Sequence, residues 1–169
     1  MKIGLFGGSF NPPHFGHLQI AKIAIKKLRL NQLWWLTTAS NPLKNQLNNY
    51  NNRLIESKKL IKNYPQIKLK NINYRYSYNL VKKLKNAHPN YQFIWIMGAD
   101  NLENFHRWYK FKELAKMLEF AVFARGEHFL KSPNYKICKI MKNNPKIKFK
   151  FYHIKKINIS STEIRSKNV

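Results

Sequence analysis

His14 and His17, separated by Phe15-Gly16, follow the segment Gly7-Gly8-Ser9-Phe10-Asn11-Pro12-Pro13. Imidazoles at that spacing can each donate to a phosphoryl oxygen and stabilise negative charge that grows in a transition state. Gly7 and Gly8 permit positive φ and a close approach of backbone to ligand, while Pro12-Pro13 stiffens the segment and removes two N–H groups. From His17 onward Leu18, Ile20, Ala21, Ala24, Ile25 and Leu28 recur at helical spacing. The segment therefore empties into an amphipathic helix, whose positive N-terminal end attracts phosphate. A glycine pair after a strand is common, and two histidines alone are more often core or surface residues. The ordered combination is what carries weight.

A second anion-binding pattern lies near the other end, Ile159-Ser160-Ser161-Thr162-Glu163-Ile164-Arg165. Serine or threonine ahead of a helical start leaves N–H groups and hydroxyls for an anion, and Arg165 one turn in offers a bidentate fork. The Ser-x-x-Glu spacing by itself would be a plain helix cap. Lys44 ends the loop Thr38 to Lys44, where the carboxyl end of a strand delivers a side chain; spacing alone reads it as solvated. Gly98 and Asp100 follow the most apolar run in the chain, Phe93 to Met97. In an open parallel α/β sheet ligands lie beyond the carboxyl ends of the strands, which puts both at the edge suited to a ribose hydroxyl. The plain structural role for Asp100 is a helix cap, and one carboxylate could serve both.

Strand candidates are Ile3 to Phe6, stopped by the glycine pair, then Leu33 to Thr37, Ile67 to Ile72, Phe93 to Met97, Glu119 to Ala124 and Lys146 to Ile154. Between them, Asn51 to Tyr64 reads as a packed amphipathic helix with Leu54, Leu60 and Ile61 on one side and Arg53, Lys58, Lys59 and Lys62 elsewhere. Another helix begins around Leu80, Val81 and Leu84. Strands alternating with helices predict a Rossmann-like α/β fold, a parallel sheet with helices on both faces. The 169 residues fit one domain, residues 1–169, able to bury roughly 70% of its unfolded surface. Cys138 is the only cysteine, which excludes a disulfide framework and a thiolate metal cluster and agrees with a reducing, cytoplasmic setting. The sequence offers no run long enough to span a membrane. The formal net charge of +25 suits a field that draws in anionic substrates, although the lysines are spread over almost every segment, as AT-rich coding would spread them.

The run Gly-Gly-Ser-Phe-Asn-Pro-Pro-His-x-Gly-His resembles the signature of the nucleotidyltransferase superfamily that carries a His-x-Gly-His element, and its opening resembles the nicotinate-nucleotide adenylyltransferases. Gly98 to Tyr109 and Ile159 to Arg165 are similar to further signatures of that family. The resemblance implies transfer of the adenylyl group of ATP to nicotinate mononucleotide, giving nicotinate adenine dinucleotide and pyrophosphate. It implies that His14, His17, Lys44 and Arg165 hold the triphosphate through the transition state. Toward ATP it implies Gly7, Gly8, Ser9, Phe10, Gly98, Asp100, Ser160, Ser161 and Thr162; toward the mononucleotide, Asn11, Tyr76, Trp108, Tyr109 and Arg125. With seven acidic residues in all, Mg²⁺ is expected to arrive bound to ATP, with no metal site of the protein's own. Specific nucleic acid and membrane are not expected partners. The chain departs from the family at Asn73-Tyr-Arg-Tyr-Ser-Tyr-Asn79, where relatives show Tyr-Thr and a downstream Asp-Thr; either Tyr76 or Ser77 replaces the usual acceptor contact, or the tyrosines of this loop only cover the core.

Rival readings are a related adenylyl- or cytidylyltransferase acting on nicotinamide mononucleotide or phosphopantetheine, a tRNA-charging enzyme, and a basic nucleic-acid-binding module. A tRNA-charging enzyme needs a much longer chain. The nucleic-acid module accounts for the charge but not for Gly7 to His17 or Ser160 to Arg165.

Overall fold

Ile3, Leu5 and Phe6 are buried in a parallel strand: β1 (Lys2–Gly8) pairs with β2 (Gln32–Thr37), Ile3 opposite Gln32 and Gly8 opposite Thr37. The computed structural model describes residues 1–40, 48–125, 140 and 144–154. They fall into two units, one holding the described residues of Lys2–Arg75, the other Met1 with the described residues of Tyr76–Lys156.

In the first unit, β1 leads through a loop into α1 (Phe15–Leu28), followed by β2, α2 (Tyr50–Ile61) and β3 (Ile67–Leu69), and the strands lie in the order β3-β2-β1. All the pairings here are parallel, with Leu33 opposite Ile67, as expected of strands joined by helical crossovers. Leu18, Ala21, Ala24 and Leu28 form the buried face of α1, which stops where Arg29 turns left-handed at φ 50° and gives its N–H to the carbonyls of Ile25 and Lys26. Its first turn carries no acidic residue, so no side chain of that turn offsets the positive end of the helix dipole.

Two expectations are corrected here. Gly7 and Gly8 do not stop β1; they are its last two rungs, opposite Leu36 and Thr37. A Cβ at position 8 would sit 3.1–3.3 Å from the ring of Phe10, so glycine there lets that ring pack close against the strand. In α2 the buried line is Arg53, Ser57 and Ile61, four residues apart, whereas Leu54 and Leu60 are only half-buried and Ile55 is 52% exposed. Counting Arg53 as a surface residue turned the predicted face.

The second unit contains α3 (Ser77–Ala87), β4 (Gln92–Gly98), a 3₁₀ turn over Ala99–Asn101, α4 (Leu102–Phe105), α5 (Phe111–Met117), β5 (Glu119–Arg125) and β6 (Phe149–Ile154). Its strands run parallel in the order β4-β5-β6. Phe93 to Gly98 are all buried, matching the expectation of a strand covered on both faces. The rings of Phe120 and Phe149 stack 4.5 Å apart on neighbouring strands, and Phe105 meets both edge-on at 5.2 and 5.6 Å. This aromatic cluster fixes α4 close after the end of β4. No helix among the described residues is long and apolar enough to cross a membrane.

Candidate active site

A histidine is an unusual helix cap, but His14 caps α1: its Nδ1 accepts from the Gly16 N–H at 3.1 Å. His17, at the third helical position, returns the arrangement, its Nδ1 accepting from the His14 N–H at 3.2 Å. The pair thus plays both parts of a capping box that serine and glutamate usually play. A ring nitrogen that accepts carries no proton, so in each neutral imidazole the proton is on Nε2, the donor that phosphate chemistry needs. The rings lie 3.8 Å apart, tilted by 32°, and His17 also meets Phe10 edge-on at 5.0 Å. One local structure therefore orients both donors at the positive end of a helix. Nitrogen-15 NMR near neutral pH is expected to find the Nε2–H tautomer at both histidines; a proton on either Nδ1 would overturn this assignment.

The loop between Gly8 and His14 is held from inside. Phe10 takes φ 44°, in the left-handed region that an L-residue occupies only when its surroundings fix it there. They do so: its ring is 3% exposed, stacks on Trp35 at 4.2 Å and meets Phe6 edge-on at 5.3 Å. The Phe10 side chain is thus core, which leaves its backbone as the part able to meet a ligand. Ser9 and Asn11 are buried too, and Asn11 Oδ1 accepts from the Asn48 N–H at 2.9 Å, tying this loop to the entry of α2. Thr38, just past β2, donates through its hydroxyl to the carbonyls of Ser40 and Tyr74 at 2.6 and 3.1 Å. Tyr74 is buried and its hydroxyl donates to the Leu36 carbonyl at 3.0 Å; burial raises its pKa.

In the second unit, the end of β4 delivers Gly98 and Asp100. A Cβ on Gly98 would collide with Oδ1 of Asp100, so glycine is what lets that carboxylate lie back over the strand end. Asp100 does not act as a cap: neither the 3₁₀ turn nor α4 has a side-chain cap hydrogen bond. Among the described residues, its exposed carboxylate has a long contact, 3.4 Å, with the Asn101 amide. That outcome removes the structural alternative weighed from the sequence.

Tyr76 and Tyr109 come together, ring centroids 4.6 Å apart, with Tyr78 edge-on to Tyr109 at 6.1 Å and the Lys110 ammonium over both Tyr78 and Tyr109. Tyr109 remains 45% exposed. Trp108 is half-buried, edge-on to Trp95 at 6.1 Å and 5.1 Å from Phe105. Its N–H is committed to the Phe105 carbonyl at 3.0 Å, so a backbone donor aimed at an acceptor from this turn has to be another amide.

Lys44, Ser160, Ser161, Thr162 and Arg165 lie outside the described residues, as does the side chain of Arg125, whose backbone ends β5. Among the described residues no group of three His, Cys, Asp or Glu side chains is arranged to hold a metal ion. Sequence reasoning missed Arg53, whose buried guanidinium makes four hydrogen bonds to backbone carbonyls. The only signal was its place four residues ahead of small Ser57 and eight ahead of Ile61.

A family model of cytidylyltransferase-like proteins matches residues 5–167. The chain is 40% identical to the "Probable nicotinate-nucleotide adenylyltransferase" of Rhizobium johnstonii, with 98% of this chain and 92% of that protein covered. It is 46% identical to the protein of the same name from Agrobacterium fabrum over 74% of this chain and 70% of that one. Among solved structures, the Plasmodium falciparum nicotinic acid mononucleotide adenylyltransferase complexed with NaAD is similar, at TM-score 0.77 and 25% identity, covering 98% of this chain and 82% of that one. The same enzyme complexed with APC, at TM-score 0.76 and 23% identity, is alike in fold.

Proposed function

The chain belongs to the cytidylyltransferase-like family and within it to the nicotinate-nucleotide adenylyltransferases, and from that premise we propose that it transfers the adenylyl group of ATP to nicotinate mononucleotide in NAD biosynthesis. Support comes above all from the His14–His17 capping box, which assigns a proton to Nε2 of both imidazoles at the start of α1.

The acceptor brings its own nucleophile. Its phosphate is largely a dianion at neutral pH, the second pKa being about 6. A phosphate oxygen attacks the α-phosphorus of ATP, the new P–O bond forms as the α–β bridge breaks, and the electron pair leaves with pyrophosphate. No side chain has to become covalently attached, so catalysis rests on positioning and on donors matched to growing charge. We assign His14 and His17 as Nε2 donors to the phosphoryl oxygens, with Lys44 and Arg165 holding the triphosphate and Ser160, Ser161 and Thr162 supplying further donors. The N–H groups of the Gly7 to Phe10 segment and the Asp100 carboxylate are assigned to ATP, the latter to its ribose. Tyr76, Trp108 and Tyr109 are assigned to the pyridine ring, and Asn11 and Arg125 to the rest of the mononucleotide. Mg²⁺ comes as part of the substrate MgATP and neutralises phosphate charge. The reaction is placed in the cytoplasm.

The test is to incubate the protein with ATP, Mg²⁺ and a panel of acceptors, measuring pyrophosphate. Nicotinate mononucleotide is expected to give the highest kcat/KM, above nicotinamide mononucleotide and phosphopantetheine. Release with none of them would overturn the function. Equal use of both pyridine nucleotides would remove the acid preference and leave adenylyl transfer standing.

A further inference from the structure

Arg53 is 1% exposed, and no carboxylate among the described residues pairs with it. A buried cation without an anion is tolerated only if its donors are satisfied by other means. Four backbone carbonyls do that here: Nη1 donates to Ser9 at 2.6 Å and to Thr38 at 2.9 Å, Nη2 to Ala39 at 3.1 Å, and Nε to Asn48 at 2.9 Å. Its face also lies 5.6 Å from the Tyr50 ring. Burial lowers its pKa, an effect opposed by the phenols of Tyr50 and Tyr74.

These acceptors come from three separate stretches. Ser9 opens the loop that ends at His14, Thr38 and Ala39 follow the carboxyl end of β2, and Asn48 precedes α2 while also donating to Asn11. Left to themselves, carbonyl oxygens beside a phosphate would repel it. Within a trans peptide the C=O and the following N–H point in opposite directions. Drawing the Ser9 oxygen onto a buried guanidinium therefore turns the Phe10 N–H the other way. The guanidinium offers five donors in a rigid planar fork that can span carbonyls from separate stretches, whereas an ammonium offers three donors at a single point with a different reach.

We propose that Arg53 is a positioning residue for phosphate handling: it never touches substrate, but by gathering the carbonyls of Ser9, Thr38, Ala39 and Asn48 it sets the loop that presents His14, His17 and the neighbouring amides to ATP. The proposal rests on the adenylyl-transfer reading for its kinetic consequence, though not for its binding consequence.

The test compares wild type, Arg53→Met and Arg53→Lys, each well below its melting temperature as followed by circular dichroism. Folded Arg53→Met is expected to lose at least tenfold in kcat/KM for ATP with the acceptor KM unchanged, and Arg53→Lys to fall between. A residue that only stabilised the fold would lower the melting temperature and leave the kinetic constants of the folded protein alone. Wild-type constants in either folded variant would overturn the proposal; should Arg53→Met not fold, Arg53→Lys decides by the same criterion. Calorimetric binding of a non-hydrolysable ATP analogue separates the two levels. If wild type turns over no acceptor yet binds the analogue at least tenfold more tightly than the folded variants, the reaction assignment fails and the positioning role holds. Equal binding by all three removes the role.

Discussion

Replacing His17 by alanine is expected to lower kcat by about 10²–10³-fold in a protein that still folds, the usual loss when one transition-state donor is removed. Two functions are lost together in that variant, because His17 Nδ1 also accepts from the His14 N–H. Losing that bond costs about 0.5–1.5 kcal/mol, too little to unfold an ordinary domain. Two further variants separate the parts. Asparagine places its acceptor near the position of Nδ1, so His17→Asn should keep the helix start and stay inactive. Glutamine reaches to about where Nε2 lies and is a favoured partner in a capping box, so His17→Gln should recover part of the rate. Steady-state kcat beside thermal melting for the three variants checks the argument. A rate that followed melting temperature instead of the Nε2 donor would make His17 a structural residue only.

Asp100→Ala is expected to reduce kcat/KM for ATP by roughly tenfold to a hundredfold, corresponding to the about 1.5–3 kcal/mol of a hydrogen bond to a charged group. The effect should fall on ATP alone, and melting should hardly change, since the exposed carboxylate neither caps a helix nor forms an ion pair among the described residues. Gly98→Ala should produce the same phenotype by another route, because the new Cβ would displace the Asp100 carboxylate, a flexible group able to turn away. An ATP analogue lacking the contacted ribose hydroxyl supplies the decisive comparison. With it, wild type and Asp100→Ala should become equal; a penalty that persists would show that Asp100 acts elsewhere.

The strands were readable because their apolar runs are short, dense and punctuated, and all six fall where the sequence places them. Their ends were less so. Gly7 and Gly8 read as a stop because glycine breaks patterns, yet a parallel neighbour in register can carry two glycines as rungs. The short helix α5 went unread, since Phe111, Leu114 and Ala115 make too brief a repeat to stand out. Both histidines stood out in the sequence as candidate phosphate donors, while the capping roles the structure gives them were hidden, because an imidazole nitrogen substitutes for a serine oxygen without any compositional sign. Arg53 was misread for a deeper reason. Residue type says that arginine belongs in water unless an anion accompanies it, and nothing local reveals that distant carbonyls will converge on it. At Asp100, by contrast, the structure removes the capping role, and the ribose role rests on the proposal.

The Arg53 clamp joins a cation to neutral dipoles in a chain where basic residues outnumber acidic ones, 32 to 7. Attraction between exposed ions fades beyond a Debye length, about 8 Å at physiological ionic strength, but short buried contacts hold no mobile ions between their partners. The hydrogen bonds that hold the loop before the histidines and the long-range attraction of a net positive charge for anions consequently answer to different variables. Added electrolyte weakens the long-range pull on a phosphate and eases repulsion among the lysines, while the clamp's own geometry is indifferent to it.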